Sequence, residues 1–453
     1  MQHSRGEEHP IQDPCAPADG ADVLVVGGGP GGCAAAILLA RQGLRVVLVE
    51  RDRHPRFHIG ESLLPMTMPL LDQLGVRERV EQLGIIKHGA DFPSDIAAGY
   101  QVFRFRRSLN PTWPYAVQIR RQDLDQVLFN AAREAGVEAL EETAVTEIEF
   151  HGAGVVAHGR RLDGAPVRFA ARYLIDASGR DTLLGRQLRL KKRSKAHQSA
   201  ALYAHFAGIR RREGEDAGNI SIYRADDGWV WVIPLPEGVT SIGLVCGPDT
   251  LRERGGDSEG LLRRTLASIP GLAERLEAPQ IVGHLEATGN YSYECARLAG
   301  QRWIMVGDAA GFVDPIFSTG VHVALYSAME SARLVSAVLD NPQREAGLQR
   351  RYARTHKAAL RRVSWFIVRF NTPVMRRLFS NPRNDWRLEE AIISMLAGDL
   401  YRDGGIRWRL RLFKVIYALS CMSDLRGALR GVRQLRRRMR EVLLVEPVNP
   451  ESS

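Results

Sequence analysis

The chain of 453 residues predicts a mixed α/β fold. A Rossmann-like ββα nucleotide lobe is interleaved with an antiparallel-sheet substrate lobe and followed by a helical C-terminal region. Three observations carry this reading. The segment ADVLVVGGGPGGCAAAILLARQGLRVVLVE reads as a buried strand, a glycine turn, a helix and a second strand. Alternating apolar residues at about 90–120 and 195–290 read as strands of a second sheet. From Gln343 onward the pattern is helical and basic. The expected division is a leader over 1–20, a core over 21–340 and a basic helical region over 341–453.

The elements follow in order. The opening MQHSRGEEHPIQDPCAPADG has acidic residues and prolines where a secretion signal needs an apolar run, so a disordered leader is expected. Met66 to Leu83 alternates at helical spacing. Residues from about Ala97 to Val117, including YQVFRFR, read as strands, and the helix DLDQVLFNAAREAG ends at Gly136. TEIEFHGAGVVAHGRRL and APVRFAARYLIDASG read as hairpin-like strands returning to the nucleotide lobe. A further antiparallel set spans Ser199 to Cys246, and the strand RWIMVGDAAGF leads into a helix near Val321.

Composition narrows the function classes. With 45% hydrophobic and 25% charged residues, the chain is of ordinary globular type. No run of eighteen apolar residues occurs, so no membrane-spanning helix is expected. Cys15, Cys33, Cys246, Cys295 and Cys421 lie far apart, in neither metal-ligand nor disulfide spacing. That predicts no metal site and a reducing, cytoplasmic setting. The net charge of +10 concentrates toward the C-terminus, in RRYARTHKAALRR and VRQLRRRMREVLL. Such runs are either solvated helix faces or a docking surface for an acidic partner. No nucleic-acid recognition motif accompanies them.

The chemistry begins at Gly27-x-Gly29-x-x-Gly32, on a strand-to-helix turn. The first glycine permits the tight turn, and the second lets backbone approach a pyrophosphate. The third lets the helix pack on the strand, and the helix N-terminus favours the anion. Glu50 ends the second strand about 20 residues on, where a carboxylate grips ribose hydroxyls. The turn and the carboxylate together predict a bound dinucleotide.

Downstream, Val306-Gly307-Asp308-Ala309-Ala310-Gly311 follows an apolar strand. Arg121 and Asp125 precede a helix in an R-x-x-ϕ-D frame, and DASGR spans Asp176 to Arg180. These three segments, in this order, resemble the hydroxylase-like FAD-dependent oxidoreductases. The resemblance implies FAD rather than NAD, with Asp308 accepting hydrogen bonds from the ribityl chain and Arg121 in the cofactor site.

Within that group the chain resembles the flavin-dependent halogenases. Trp229-Val-Trp231-Val-Ile233-Pro234 fills their W-x-W-x-I-P, and Phe312, Pro315, Ser318 and Gly320 fill their F-x-x-P-x-x-S-x-G. Gly60-Glu61-Ser62-Leu63-Leu64-Pro65 looks like the entry segment of the phenol- and pyrrole-type members. Ile86-Lys87-His88-Gly89-Ala90-Asp91-Phe92 is similar to the segment holding their essential lysine. The likeness runs from about Asp22 to Val335, with an echo at Leu396-Ala397-Gly398-Asp399. A lone lysine would be a surface residue, and two tryptophans alternating on a strand would be plain core. Their frames are what make them candidates.

The resemblance implies a division of labour. Trp229, Trp231, Phe312, Pro315 and Phe317 shield the flavin from substrate. The turn Ser318-Thr319-Gly320 holds chloride or bromide at a helix N-terminus. Reduced FAD, O2 and halide give hypohalous acid, which reaches Lys87 and is directed onto a ring. No second glycine-rich turn for a nicotinamide cofactor is found, so a separate flavin reductase is expected. Tryptophan halogenases carry a glutamate where this chain has Phe317, which disfavours free tryptophan and favours an electron-rich phenol or pyrrole. Relatives of this type act on rings tethered to an acyl carrier protein, which is acidic and would suit the basic C-terminal region. The rivals are an aromatic monooxygenase or flavin-dependent reductase of the same fold. A flavin-holding scaffold on an anionic membrane is a third, of another class.

Overall fold

The computed structural model describes residues 20–423, apart from 94–98, 111–112, 194–198, 253–254, 290–291, 381 and 383, together with Arg433. The leader over 1–19, Cys15 and nearly all of VRQLRRRMREVLL lie outside the described residues.

The nucleotide lobe is built on a sheet ordered Ala299–Gly300, Trp303–Met305, Pro166–Asp176, Ala21–Val26, Val46–Val49 and Glu138–Leu140. Its central strands are parallel, with Val25 opposite both Leu48 and Ile175. Buried on both faces, these strands read as unbroken apolar runs. The helix Pro30–Ala40 leaves the glycine turn with Pro30 in its first turn and buries nearly its whole surface. The hairpin Thr143–Phe150 and Val155–Arg161 joins antiparallel to Pro166–Asp176. Those strands therefore form the predicted return to the lobe.

The substrate lobe is a seven-stranded sheet. Its order is Leu276–Gly289, Ala200–Ile209, Thr240–Cys246, Gly228–Pro234, Ile220–Ala225, Gly89–Pro93 and Tyr100–Arg104. It is antiparallel except where Ile220–Ala225 meets Gly89–Pro93. Along Gly228–Pro234 the side chains alternate. Trp229, Trp231 and Ile233 join one core with Phe317, Phe366, Phe370 and Phe413. Val230 and Val232 face another core with Phe206, Ile242 and Leu266. The helices after residue 340 thus share a core with the tryptophan face.

The Met66 to Leu83 stretch is two short helices, Met68–Gln73 and Arg77–Gln82. Gly75, at φ +72°, turns the chain between them, so the predicted helical spacing is real but interrupted. Among the described residues Gly320–Asp340 and Glu345–Arg369 are the two longest helices. Among the described residues none is long and apolar enough to cross a membrane. Cys33, Cys246, Cys295 and Cys421 form no disulfide with one another.

Candidate active site

Between the two lobes runs a cavity of about 780 Å³, reaching from the glycine turn to Trp229, Trp231 and the Pro315–Gly320 turn. Its volume is in the range of a cofactor pocket. At one end Gly27 takes φ +110°, and a Cβ there would lie 2.3 Å from the Ala177 carbonyl oxygen. A Cβ on Gly32 would lie 1.8 Å from the Gly27 carbonyl oxygen, so the helix rests directly on the turn. Gly29 differs. Its missing Cβ would have only the Arg56 guanidinium within 4 Å, at 3.9 Å. That leaves bare backbone facing the cavity beside a helix N-terminus.

Glu50 organises the neighbouring wall. Its Oε2 accepts from the Gly28 amide at 2.7 Å and from Arg56 at 3.3 Å, and its Oε1 accepts from the Asp52 amide at 3.0 Å. Arg56 also reaches Asp125 at 3.2 Å. Arg121 donates twice to Asp125, at 2.9 and 3.0 Å, and once to the Ile59 carbonyl at 3.0 Å. Burial pushes the Asp125 carboxyl up, but Arg121 and Arg56 more than offset this and hold it below the usual range. Next to Arg121, His58 is pushed down to about 4 by that guanidinium and by burial. It stays neutral near pH 7.

Asp308 lines the cavity just beyond Trp303–Met305, at the same C-terminal edge of the parallel sheet as Gly27 and Glu50. Burial raises its carboxyl to about 6, against the opposing pull of Arg121 and Arg180. These residues suit FAD. Bare glycine backbone and arginines stand where pyrophosphate charge belongs. Glu50 and Asp308 offer carboxylates at two separated points along an elongated cavity.

At the far end, Pro315–Phe317 makes one 3-10 turn, and the Asp314 side chain accepts from the Ile316 amide. Ser318 adopts φ +56°, a left-handed conformation uncommon for serine. Gly320–Asp340 then starts as a helix, leaving first-turn amides without intrahelical partners. Ser318 and Gly320 line the cavity, as do Trp229, Trp231, Phe312 and Pro315. Thr319 and Phe317 do not line it. Phe317 packs edge-on against Phe370, with ring centroids 6.0 Å apart. Phe317, expected to shield the flavin, has its ring in the aromatic core that also holds Trp229 and Trp231.

Lys87 ends the strand Ile85–Lys87, paired with Ala116. It is 1% exposed. Its Nζ donates to Ser62 Oγ at 2.7 Å and to the Leu63 carbonyl at 3.0 Å, and lies 5.3 Å from the Phe105 ring centroid. Burial lowers its pKa to about 7, partly opposed by Asp91. Lys87 itself is not on the cavity wall. Ser62, which holds it, is.

Sequence reasoning missed two groups. Arg56 bridges Glu50 and Asp125, and its only local sign is the run of arginines after Glu50. Glu61 is buried, accepts from His205 Nε2 at 2.7 Å, and faces the cavity. Glu61 lies in the Gly60–Pro65 entry segment, but His205 sits on a separate strand with no motif around it, so nothing in the sequence marked the contact between them. Among the described residues no group of His, Cys, Asp and Glu is arranged to hold a metal.

An elongated cavity, bare glycine backbone and two spaced carboxylates define an FAD-binding flavoprotein. Residues 20–366 match the FAD binding domain family. The chain is 32% identical over 355 residues to a tryptophan 2-halogenase of Chondromyces crocatus, covering 77% of this chain and 67% of that protein. It is 28% identical to the 1H-pyrrole-2-carbonyl-[peptidyl-carrier protein] chlorinase of Pseudomonas fluorescens, covering 84% and 89%. The solved structure of a myxobacterial chondrochloren halogenase superposes with a TM-score of 0.73 at 30% identity, covering 83% and 90%. The chain belongs to the FAD-dependent halogenases. Since one relative is named for tryptophan and another for a pyrrole, similarity alone does not choose the ring.

Proposed function

We propose that the chain uses reduced FAD from a separate reductase, O2 and chloride or bromide to halogenate an electron-rich phenol- or pyrrole-type ring carried on an acyl carrier protein. The carrying observation is Lys87, a buried amine with its pKa near 7, fixed by a residue of the cavity wall. When bound, reduced FAD supplies the reducing equivalents with which O2 converts halide and a proton to hypohalous acid and water.

The protein's own residues set where that oxidant goes. Glycine backbone at Gly27–Gly32 and the helix behind it take the pyrophosphate, Glu50 the ribose and Asp308 the ribityl hydroxyls. Arg121 holds the segment before Gly60 in place through the Ile59 carbonyl. Trp229 and Trp231 fill the face over the cavity and keep a ring from the flavin. The turn at Ser318–Gly320 offers helix amides to the halide. At Lys87 a neutral amine has two N–H groups, and Ser62 Oγ and the Leu63 carbonyl accept both. The nitrogen lone pair is left free. It attacks the halogen of hypohalous acid, forming N–Cl, while hydroxide leaves and takes up the amine proton as water. The ring's π electrons then take the chlorine as the N–Cl electron pair returns to nitrogen, and the proton lost from the ring carbon restores the Lys87 amine.

The carrier-bound form of the substrate is supported by the pyrrole chlorinase relative and by the basic C-terminal helices. The test is an assay with reductase, NADH, FAD and halide against free and carrier-loaded phenols and pyrroles. A product pair in the chlorine isotope ratio that disappears without chloride is expected. Oxygenated product without halogen would overturn the reading in favour of a hydroxylase.

A further inference from the structure

Away from the cavity, the helices Glu345–Arg369 and Ile406–Ser423 enclose a second cleft of about 230 Å³. Among the described residues its walls carry five cations, Arg361, Arg362, Arg407, Arg411 and Lys414, and no carboxylate. Asp403 pairs with Arg407 at 3.4 Å, and Arg362 donates to the Leu400 carbonyl. Arg361 and Arg411 are exposed and form no ion pair with another described residue. Burial, and after it the neighbouring Arg369, Arg362 and Arg411, lower the pKa of Lys414.

Along Ile406–Ser423 the cations Arg407, Arg411 and Lys414 recur at i, i+4 and i+7, so they share a face. Beside them on the same helix, Trp408, Val415, Leu419 and Met422 are exposed and form a second stripe. A positive cleft rimmed by exposed apolar side chains has the make-up of a docking surface.

The geometry also ties the cleft to the Lys87 side of the molecule. Leu400, held by Arg362, belongs to the segment that packs on Leu64 and Met66. Met66 donates its amide to the Ala397 carbonyl at 3.0 Å, and a Cβ on Gly398 would sit 3.2 Å from Leu64. Ser62, two residues before Leu64, holds the amine.

Charge decides the occupant. Of the chain's own segment 424–453, residues 424–440 carry seven arginines against one aspartate and would be repelled, and the acidic remainder 441–453 holds three glutamates interrupted by Pro447 and Pro450. A flat anionic bilayer would meet the apolar stripe but not enter the concave cleft. An acidic helix satisfies both, its carboxylates entering the cleft and its apolar residues meeting the stripe. We propose that this surface docks the acidic face of the carrier protein that delivers the ring. This rests on the carrier-bound reading above.

The test uses the full chain and its Arg361→Glu/Arg411→Glu variant. Fluorescence anisotropy reads binding of a panel of labelled holo carrier proteins, with no turnover required. Binding that weakens with salt in the parent chain and falls at least ~10-fold in the variant is expected, with FAD retention and turnover of a free ring unchanged. Equal binding by both chains overturns the proposal. So does binding to phosphatidylserine vesicles without binding to any carrier, which would mark a membrane surface. A chain that binds carrier yet halogenates no ring refutes the functional reading alone.

Discussion

At the residue scale, the protonation of Lys87 is the quantity to follow. Below pH 7 the amine takes up a proton and loses the lone pair that attacks halogen. Product formation should therefore rise through an apparent pKa near 7 while flavin oxidation does not follow that curve. Stability gives an independent reading. The amine titrates near 10.5 unfolded and near 7 folded, so between those values the unfolded chain binds more protons. Stability from this residue is then gained as pH rises, by at most about 1.4 kcal/mol per pH unit. Replacing Lys87 with methionine should remove that slope, seen as a difference between the two chains in urea titrations from pH 7 to 10. Parallel slopes would mean the amine is not desolvated. Phe317 supplies the second prediction. Phe317→Glu would place a carboxylate against Phe370 in an apolar core and cost several kilocalories per mole. The melting midpoint should drop sharply with no gain of indole halogenation. An unchanged midpoint would mean the ring lies elsewhere.

At the element scale, the glycine turn separates two effects that sequence spacing treats alike. Gly32→Val must collide with the Gly27 carbonyl, so soluble yield should collapse. Gly29→Val has room in the fold but fills backbone space facing the cavity. It should give a folded, colourless protein, read as a normal melting curve without flavin absorbance. A yellow Gly29→Val protein would place the pyrophosphate elsewhere. This turn was legible because strand, turn, helix and Glu50 lie within one local run. The Ser318–Gly320 turn was legible only as a motif. Pro315 and Phe317 lie two residues apart in one 3-10 turn, which turns Pro315 to the cavity and Phe317 away from it, and spacing in the sequence carries no sign of it. The burial of Lys87 was hidden for a similar reason. Its enclosure is assembled from Ser62, Leu63 and Phe105 on other segments.

At the scale of the whole molecule, the two lobes and the C-terminal helices form interlocked cores. Phe366, Phe370 and Phe413 pack in the same cluster as Trp229 and Trp231. The division at residue 340, natural from the change to basic helical sequence, therefore cuts through a core. A chain ending at Asp340 keeps every flavin and halide motif yet should be insoluble, because it exposes that aromatic face. A soluble, yellow truncated protein would contradict the shared core. Both sheets and the long helices were visible as periodicity, whereas their mutual packing depends on contacts between residues far apart in sequence. The central claim is that the oxidant leaves the flavin and reaches the ring through one amine. Its most direct test is mass spectrometry of products from Lys87→Met beside the parent chain, with reductase, chloride and a ring the parent chain accepts. Chlorinated product should vanish while reduced flavin is still consumed; chlorination at the parent rate would show that the amine is not on the path.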